Sequence, residues 1–319
     1  MPAVDPARPD LAEAAVDGIE AISGTHPDNR RAHAKGTLCA ATFTPTAEAA
    51  VLCRAAHFAS GPVRAHVRFS NGSGNPTTPD YEPREGRGMA TKLYLDDGTT
   101  TDIVAITLPA FFVRTPEAFL EFSEARRPDP ETGEPDMAAM GAFLEAHPEA
   151  VPAITTVITS TPPDSYFTCA YNALHAFRLV DHDGNGQFVR YRWEPAAGEH
   201  AIAPEDAQPR GADYLQADLA TRLAEGPGVF TLVAALAEDG DPTDDPTAVW
   251  PDDRRRVELG RLEVTGLADD RERDGDVLVF DPTRVTDGIE LSDDPILRFR
   301  SHAYSVSVLR RSGAARPVA

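Results

Sequence analysis

Three residues near the end of the chain have the types and spacing for metal chemistry. Arg300, Tyr304 and Arg311 follow Asp293-Asp294-Pro295, a helix-start pattern in which acids and a first-turn proline complement the free amides. Arg300 and Tyr304 are four apart, so a helix puts both on one face, and Arg311 lies two turns past Tyr304 on the same side. A guanidinium beside a phenol favours the ionised form. A phenolate is a good ligand for ferric iron, and tyrosine is one of the few side chains that hold haem from the proximal side. The same spacing also describes a packed ring beside solvated charges, so the segment by itself leaves both readings open. A second candidate is His33 in HPDNRRAHAKG, a residue type that moves protons near neutral pH and is as often a satisfied core or surface group.

The elements that must carry these residues can be read from periodicity. Residues 10 to 24 form an amphipathic helix, with Leu11, Ala15, Ile19 and Ile22 on one side and Gly24 as its stop. A β stretch runs from His33 to Thr44, and residues 46 to 58 read as one helix with Val51, Leu52, Ala55 and Phe58 inward. Val63 to Phe69 alternates as a strand ending at Ser70, and Met89 to Tyr94 and Asp102 to Leu108 are strands joined by Asp96-Asp97-Gly98. Thr115-Pro116-Glu117 opens a helix containing Phe119 and Phe122, a polar loop fills 126 to 136, and helices follow at 137 to 146 and 150 to 160. Tyr166 to Arg192 reads as a hairpin turning at His182-Asp183-Gly184-Asn185-Gly186, which has the glycine of a calcium loop and lacks its closing glutamate. A helix over 212 to 225 and strands over 230 to 237 and 261 to 265 lead back to the terminal helix. The result is an α+β protein with an antiparallel sheet of many short strands.

Composition narrows the partners. The chain has 319 residues and a formal charge of −21, so it carries no basic stripe for nucleic acid or an anionic membrane. Its only lysines are Lys35 and Lys92; the acid runs Glu238 to Asp245 and Asp269 to Asp276 read as solvated loops. The three cysteines, Cys39, Cys53 and Cys169, are too few and too irregular for a disulfide framework and read as buried packing residues. No leader pattern or long apolar run is present, which points to the cytoplasm.

The run GIELSDDPILRFRSHAY, Gly288 to Tyr304, resembles the proximal-helix signature of haem catalases. RRAHAKG resembles their distal-histidine segment and VRFSNGSG their arginine-serine segment, while GRGMATKLY, DIVAITLPAFFVR and FVRYRWEP resemble strands that follow in the same order. The blocks are collinear over residues 20 to 311, and the small catalase-related peroxidases are the nearest type because the chain ends eight residues after Arg311. The resemblance implies an eight-stranded antiparallel β-barrel with helical insertions and a C-terminal haem-ligating helix, forming a single haem-binding domain over 1 to 319, with a lead-in at 1 to 24 and a tail at 312 to 319. It implies His33 as the distal acid-base group and Ser70 as its support, Tyr304 as the axial ligand of haem b iron and Arg300 as its partner. Arg30, Arg68 and Arg311 match the arginines that pair with haem propionates, and Phe119 matches a ring near the distal face. One position departs: Ile106 stands where catalases carry the distal asparagine, and Thr107 should face the other side of its strand. The implied activity is a peroxidase that reduces hydrogen peroxide or an organic hydroperoxide with electrons from a small organic donor, with weak catalase activity. Three alternatives remain on the same scaffold: a genuine small catalase, a hydroperoxide-rearranging enzyme, and a non-enzymatic haem-binding module. A monomer or small homo-oligomer is expected, since the arm that interlocks catalase subunits is missing.

Overall fold

Eight strands that each pair antiparallel with their neighbours in sequence close on themselves. The computed structural model describes residues 9–59, 61–129, 131–269 and 277–312. The run Asp269 to Asp276, apart from its first residue, and the tail beyond Ser312 lie outside the described residues. The strands are β1 (Gly36–Pro45), β2 (Val63–Asn71), β3 (Arg87–Tyr94), β4 (Thr100–Ile106), β5 (Tyr171–Val180), β6 (Gly186–Pro195), β7 (Gly228–Leu236) and β8 (Arg256–Leu267). β8 pairs with β1, and β4 meets β5 at Ile106 and Asn172, so the sheet is an up-and-down barrel of the expected kind. A short β9 (Ile289–Leu291) pairs with β5 outside the ring.

The barrel interior follows from alternation. In β6, Val189, Tyr191 and Trp193 are buried, while Arg190 and Arg192 between them are only partly covered. Phe43, Phe69, Tyr171, Trp193 and Phe230 fill the centre, with the Phe43 and Trp193 rings edge-on at 6.2 Å. Each such side chain contributes about 1.5–3 kcal/mol through burial. The three cysteines are buried and free, and burial raises the thiols of Cys39 and Cys169 to about 12.

The helices are α1 (Pro9–Ser23), α2 (Ala47–Leu52), α3 (Ala56–Ala59), α4 (Pro116–Ala125), α5 (Met137–Ala146), α6 (Val151–Thr159), α7 (Pro204–Ala207), α8 (Tyr214–Glu225) and α9 (Pro295–Ser312). Thr115 caps α4 by accepting from the Ala118 amide at 3.2 Å, with Pro116 at the first helical position. The single helix read over 46 to 58 is a correction: it breaks at Cys53, whose backbone is extended. Tertiary bonds outcompete the helix there. The Arg54 amide donates to the Val180 carbonyl at 2.9 Å, and Cys53 Sγ donates to the Gly288 carbonyl at 3.1 Å. Val51, expected inward, is 79% exposed as a result.

The break turns His57 inward, 1% exposed, with its ring tilted against Phe58 and the ring centroids 4.1 Å apart. Burial lowers its pKa to about 3, whereas in an unfolded chain it titrates at about 6.5. Between those values the unfolded state binds more protons, so this contribution is complete above pH 6.5 or so and is lost as pH falls towards 3. His57→Leu is therefore expected to flatten the acid side of a plot of melting temperature against pH. Superimposable acid limbs for parent and variant would contradict this.

Candidate active site

His33 stands just before β1 in the left-handed region, with φ of 55°. That conformation is costly for a non-glycine residue and persists only where surroundings hold it. Here the His33 amide donates to the Gly72 carbonyl at 3.1 Å, the Ala34 amide to Ser73 at 3.0 Å, and Arg68 Nη1 to the His33 carbonyl at 2.9 Å. Its ring Nδ1 lies 3.0 Å from Ser70 Oγ. The imidazole retains some solvent exposure, yet protein atoms crowd it closely enough that burial is the chief reason its pKa falls to about 3. The positive charges of Arg68, Arg300 and Arg30 push it in the same direction.

The sheet register sets what faces His33. Gly36, Ser70, Gly88, Ile106 and Asn172 are consecutive cross-strand partners from β1 to β5 and so share one face of the sheet. A Cβ on Gly88 would sit 2.7 Å from Ser70 Oγ and 2.8 Å from His33 Nδ1, and one on Gly36 would sit 2.7 Å from the Arg68 guanidinium carbon. Gly88→Ala is therefore expected to leave the barrel folded while displacing His33 from Ser70. The predicted outcome is a drop of about tenfold or more in peroxide turnover, larger than any change in melting temperature explains. Unchanged turnover would show that the His33–Ser70 contact is dispensable. Thr107 follows the end of β4, and its Oγ1 accepts from the Arg87 amide at 3.0 Å.

Tyr304 lies on α9, and the helix starts where Asp294 accepts from the amides of Ile296 at 2.8 Å and Leu297 at 3.1 Å. Arg300 Nε donates to Tyr304 Oη at 3.0 Å, and its Nη2 donates to the same oxygen. Sequence reasoning missed the next member. His175, 1% exposed in β5, lies 3.0 Å from Arg300 Nη1 through Nε2 and 2.6 Å from Asp294 Oδ2 through Nδ1. Arginine only donates, so Nε2 must carry the lone pair and Nδ1 the hydrogen. Burial is the main reason the His175 pKa falls below its usual value, with Asp294 opposing it. Asp294 thus caps the helix and anchors a chain running Asp294, His175, Arg300, Tyr304.

Glu20 on α1, also missed, joins the two halves of the site. It pairs with Arg31, next to the His33 segment, and with Arg310 of α9 at 2.8 Å. Arg30 Nη2 donates to the Leu278 carbonyl at 2.7 Å, and its guanidinium lies 5.7 Å from the Phe280 ring centre. Arg311 is buried at the far end of α9. Phe119 packs beside Phe112 at 6.0 Å and against the apolar cluster of Leu11 and Phe299, which ties it to α1 and α9. The structure thus groups His33, Ser70, Arg68, Arg30, Arg300 and Tyr304 most directly, with Phe119 and Arg311 attached through α4 and α9.

Comparison with known proteins fits this arrangement. The family model described as catalase matches residues 16–316. The chain is 42% identical over 303 residues to a catalase-related peroxidase of Mycolicibacterium paratuberculosis, covering 95% of each chain. It is 32% identical over 297 residues to a catalase-related peroxidase of Synechococcus elongatus, covering 93% of this chain and 87% of that one. The solved structure of catalase A from Saccharomyces cerevisiae superposes with a TM-score of 0.81 at 22% identity, over 93% of this chain and 64% of the other, and supports the fold. The chain belongs to the catalase family, with haem as its cofactor and peroxide as its substrate.

Proposed function

We propose that the chain is a haem peroxidase that reduces peroxide at the expense of small organic electron donors. The residues fit the cofactor. Tyr304 offers an oxygen ligand backed by guanidinium donors, and Arg30, Arg68 and Arg300 concentrate positive charge around His33 in a chain of net charge −21. A group that carries an iron and two carboxylates calls for that combination. In this reading Tyr304 would ligate the iron with Arg300 as its partner, Arg30, Arg68 and Arg311 would pair with the haem carboxylates, and Phe119 would pack beside the ring.

Haem, when bound, supplies a redox-active iron that takes up the oxidising equivalents of peroxide. The protein's part is proton transfer and positioning. His33 Nδ1 is held 3.0 Å from Ser70 Oγ; in the tautomer with the hydrogen on Nδ1, His33 presents the Nε2 lone pair, takes a proton from one peroxide oxygen and delivers it to the other, which leaves as water. A low pKa keeps His33 neutral and able to accept. Arg300 directs two donors at Tyr304 Oη and so orients it.

The observation that carries peroxidase over catalase is Ile106. It projects on the same face as Ser70 and the Gly88 position, two strands from Ser70, or about 10 Å. It has no group to hydrogen-bond a second peroxide, and the Thr107 hydroxyl already accepts from the Arg87 amide. Donors therefore compete for the oxidised enzyme. The test follows oxygen release and donor oxidation together. About two one-electron donors should be oxidised per peroxide with little oxygen, and Ile106→Asn should raise oxygen release by about tenfold or more, equivalent to roughly 1.4 kcal/mol. Rapid oxygen release by the parent, unaffected by donor, would favour a small catalase. The net charge of −21 and the lack of a basic stripe argue against nucleic acid or an anionic membrane as partner, and among the described residues no helix is long and apolar enough to cross a membrane.

A further inference from the structure

The chain Asp294, His175, Arg300, Tyr304 works only with one form of His175: neutral, hydrogen on Nδ1, lone pair on Nε2. An imidazole whose Nδ1 is 2.6 Å from a carboxylate would ordinarily gain a second proton. An imidazolium would set an N–H of Nε2 against the Arg300 donor and push Arg300 off Tyr304. Burial opposes this most strongly, and the charges of Arg300 and Arg190 act in the same direction.

The register places Arg190 beside His175. Ala173 pairs with Tyr191 and Phe177 with Val189, so Leu174, His175 and Ala176 stand opposite Arg190 alone. A bulge of this kind re-aims a side chain, here His175 towards the start of α9. Arg190 is fixed at this place by the loop between β7 and β8. Its Nη2 donates to the Asp245 carbonyl at 2.8 Å, its Nη1 donates to the Ala248 carbonyl, and its guanidinium lies 4.7 Å from the Trp250 ring centre. The loop is itself tied down, since the Phe111 amide donates to the Pro246 carbonyl at 2.8 Å and Arg114 pairs with Asp245 at 3.1 Å. Carbonyls and a ring hold the guanidinium without cancelling its charge. Asp294 is the largest charged influence on Arg190, ahead of Asp245 and Asp241.

We propose that Arg190 is a positioning residue that balances Asp294 across the β5 bulge and so keeps His175 as the neutral Nδ1–H tautomer that anchors Arg300 on Tyr304. The charged groups acting on His175 are Asp294 and Arg300 from α9 and Arg190 from β6. Removing Arg190 takes away one of the influences that oppose Asp294, beside burial and Arg300, so His175 then takes up a proton at higher pH than in the parent. The consequence for the iron rests on the reading of Tyr304 as axial ligand. The state of His175 does not, and can be observed without haem.

The test is nitrogen-15 NMR of the histidine rings in the haem-free protein, with His175→Asn as the assignment control, followed by haem absorption as a function of pH. The parent should show a single Nδ1–H tautomer with no titration between about pH 6 and 9. In Arg190→Gln the His175 midpoint should rise by about one pH unit or more into that range, and the haem-loaded variant should gain an absorption change with the same midpoint. Arg190→Lys, which keeps the charge, should behave as the parent. If Arg190→Gln does not fold, Trp250→Ala takes its place, with a smaller shift of the same sign expected. A His175 that stays neutral in whichever variant is read overturns the proposal. A His175 that titrates in the haem-free variant without any change in haem absorption supports the role of Arg190 and counts against Tyr304 as the ligand.

Discussion

Tyr304→Phe is expected to abolish stable haem binding and to lower peroxide-dependent donor oxidation by more than about a thousandfold, or roughly 4 kcal/mol. The substitution removes one atom from a ring that otherwise keeps its packing on α9. That atom is the oxygen on which Arg300 Nε and Nη2 both converge. Without it the proposed iron ligand is gone, and Arg300 loses the acceptor on which two of its donors converge. The haem-free variant should melt close to the parent, since Tyr304 is only partly buried and its oxygen has no other role in the fold. Haem retained after gel filtration, read beside donor oxidation, checks this. Full haem occupancy with parental activity would show that another residue ligates the iron.

His33→Asn should do the reverse, keeping haem and losing chemistry. Acid-base groups of this kind contribute about 10²–10⁴-fold, and that is the expected loss in peroxide turnover. Asparagine is the informative replacement because it tolerates the positive φ of 55° better than alanine does. It keeps the backbone bonds to Gly72 and Arg68 while removing the proton acceptor. His33→Ala should lose as much activity and a further increment of stability, about 1 kcal/mol, from backbone strain. Single-turnover kinetics of peroxide consumption, with melting curves for both variants, separates the two effects. Turnover within about threefold of the parent in His33→Asn would remove His33 from the mechanism.

The parts of the site that local spacing governs were legible in the sequence. Arg300 and Tyr304 meet because helical periodicity places them one turn apart, and Asp294 caps because its type and position suit the start of α9. His33 and Ser70 became visible through resemblance, since their contact spans a loop and a strand. His175 was not legible. It lies in a strand where alternation predicts nothing about function, and its direction depends on a bulge defined by partners in β6. Glu20 was hidden in the same way, its two arginines being separated from each other by most of the chain. The break at Cys53 escaped because residues 46 to 58 satisfy helical periodicity, and only the carbonyls of Val180 and Gly288 draw the backbone away.

The central claim is that haem is held on Tyr304, with His33 on the opposite side. Resonance Raman spectroscopy of the haem-loaded protein, excited in the phenolate-to-iron absorption, tests it most directly. Ring modes of a coordinated phenolate should appear in the parent and in His33→Asn, and should vanish in any haem-bound fraction of Tyr304→Phe. A parent spectrum without them, or one unchanged in Tyr304→Phe, would contradict the account.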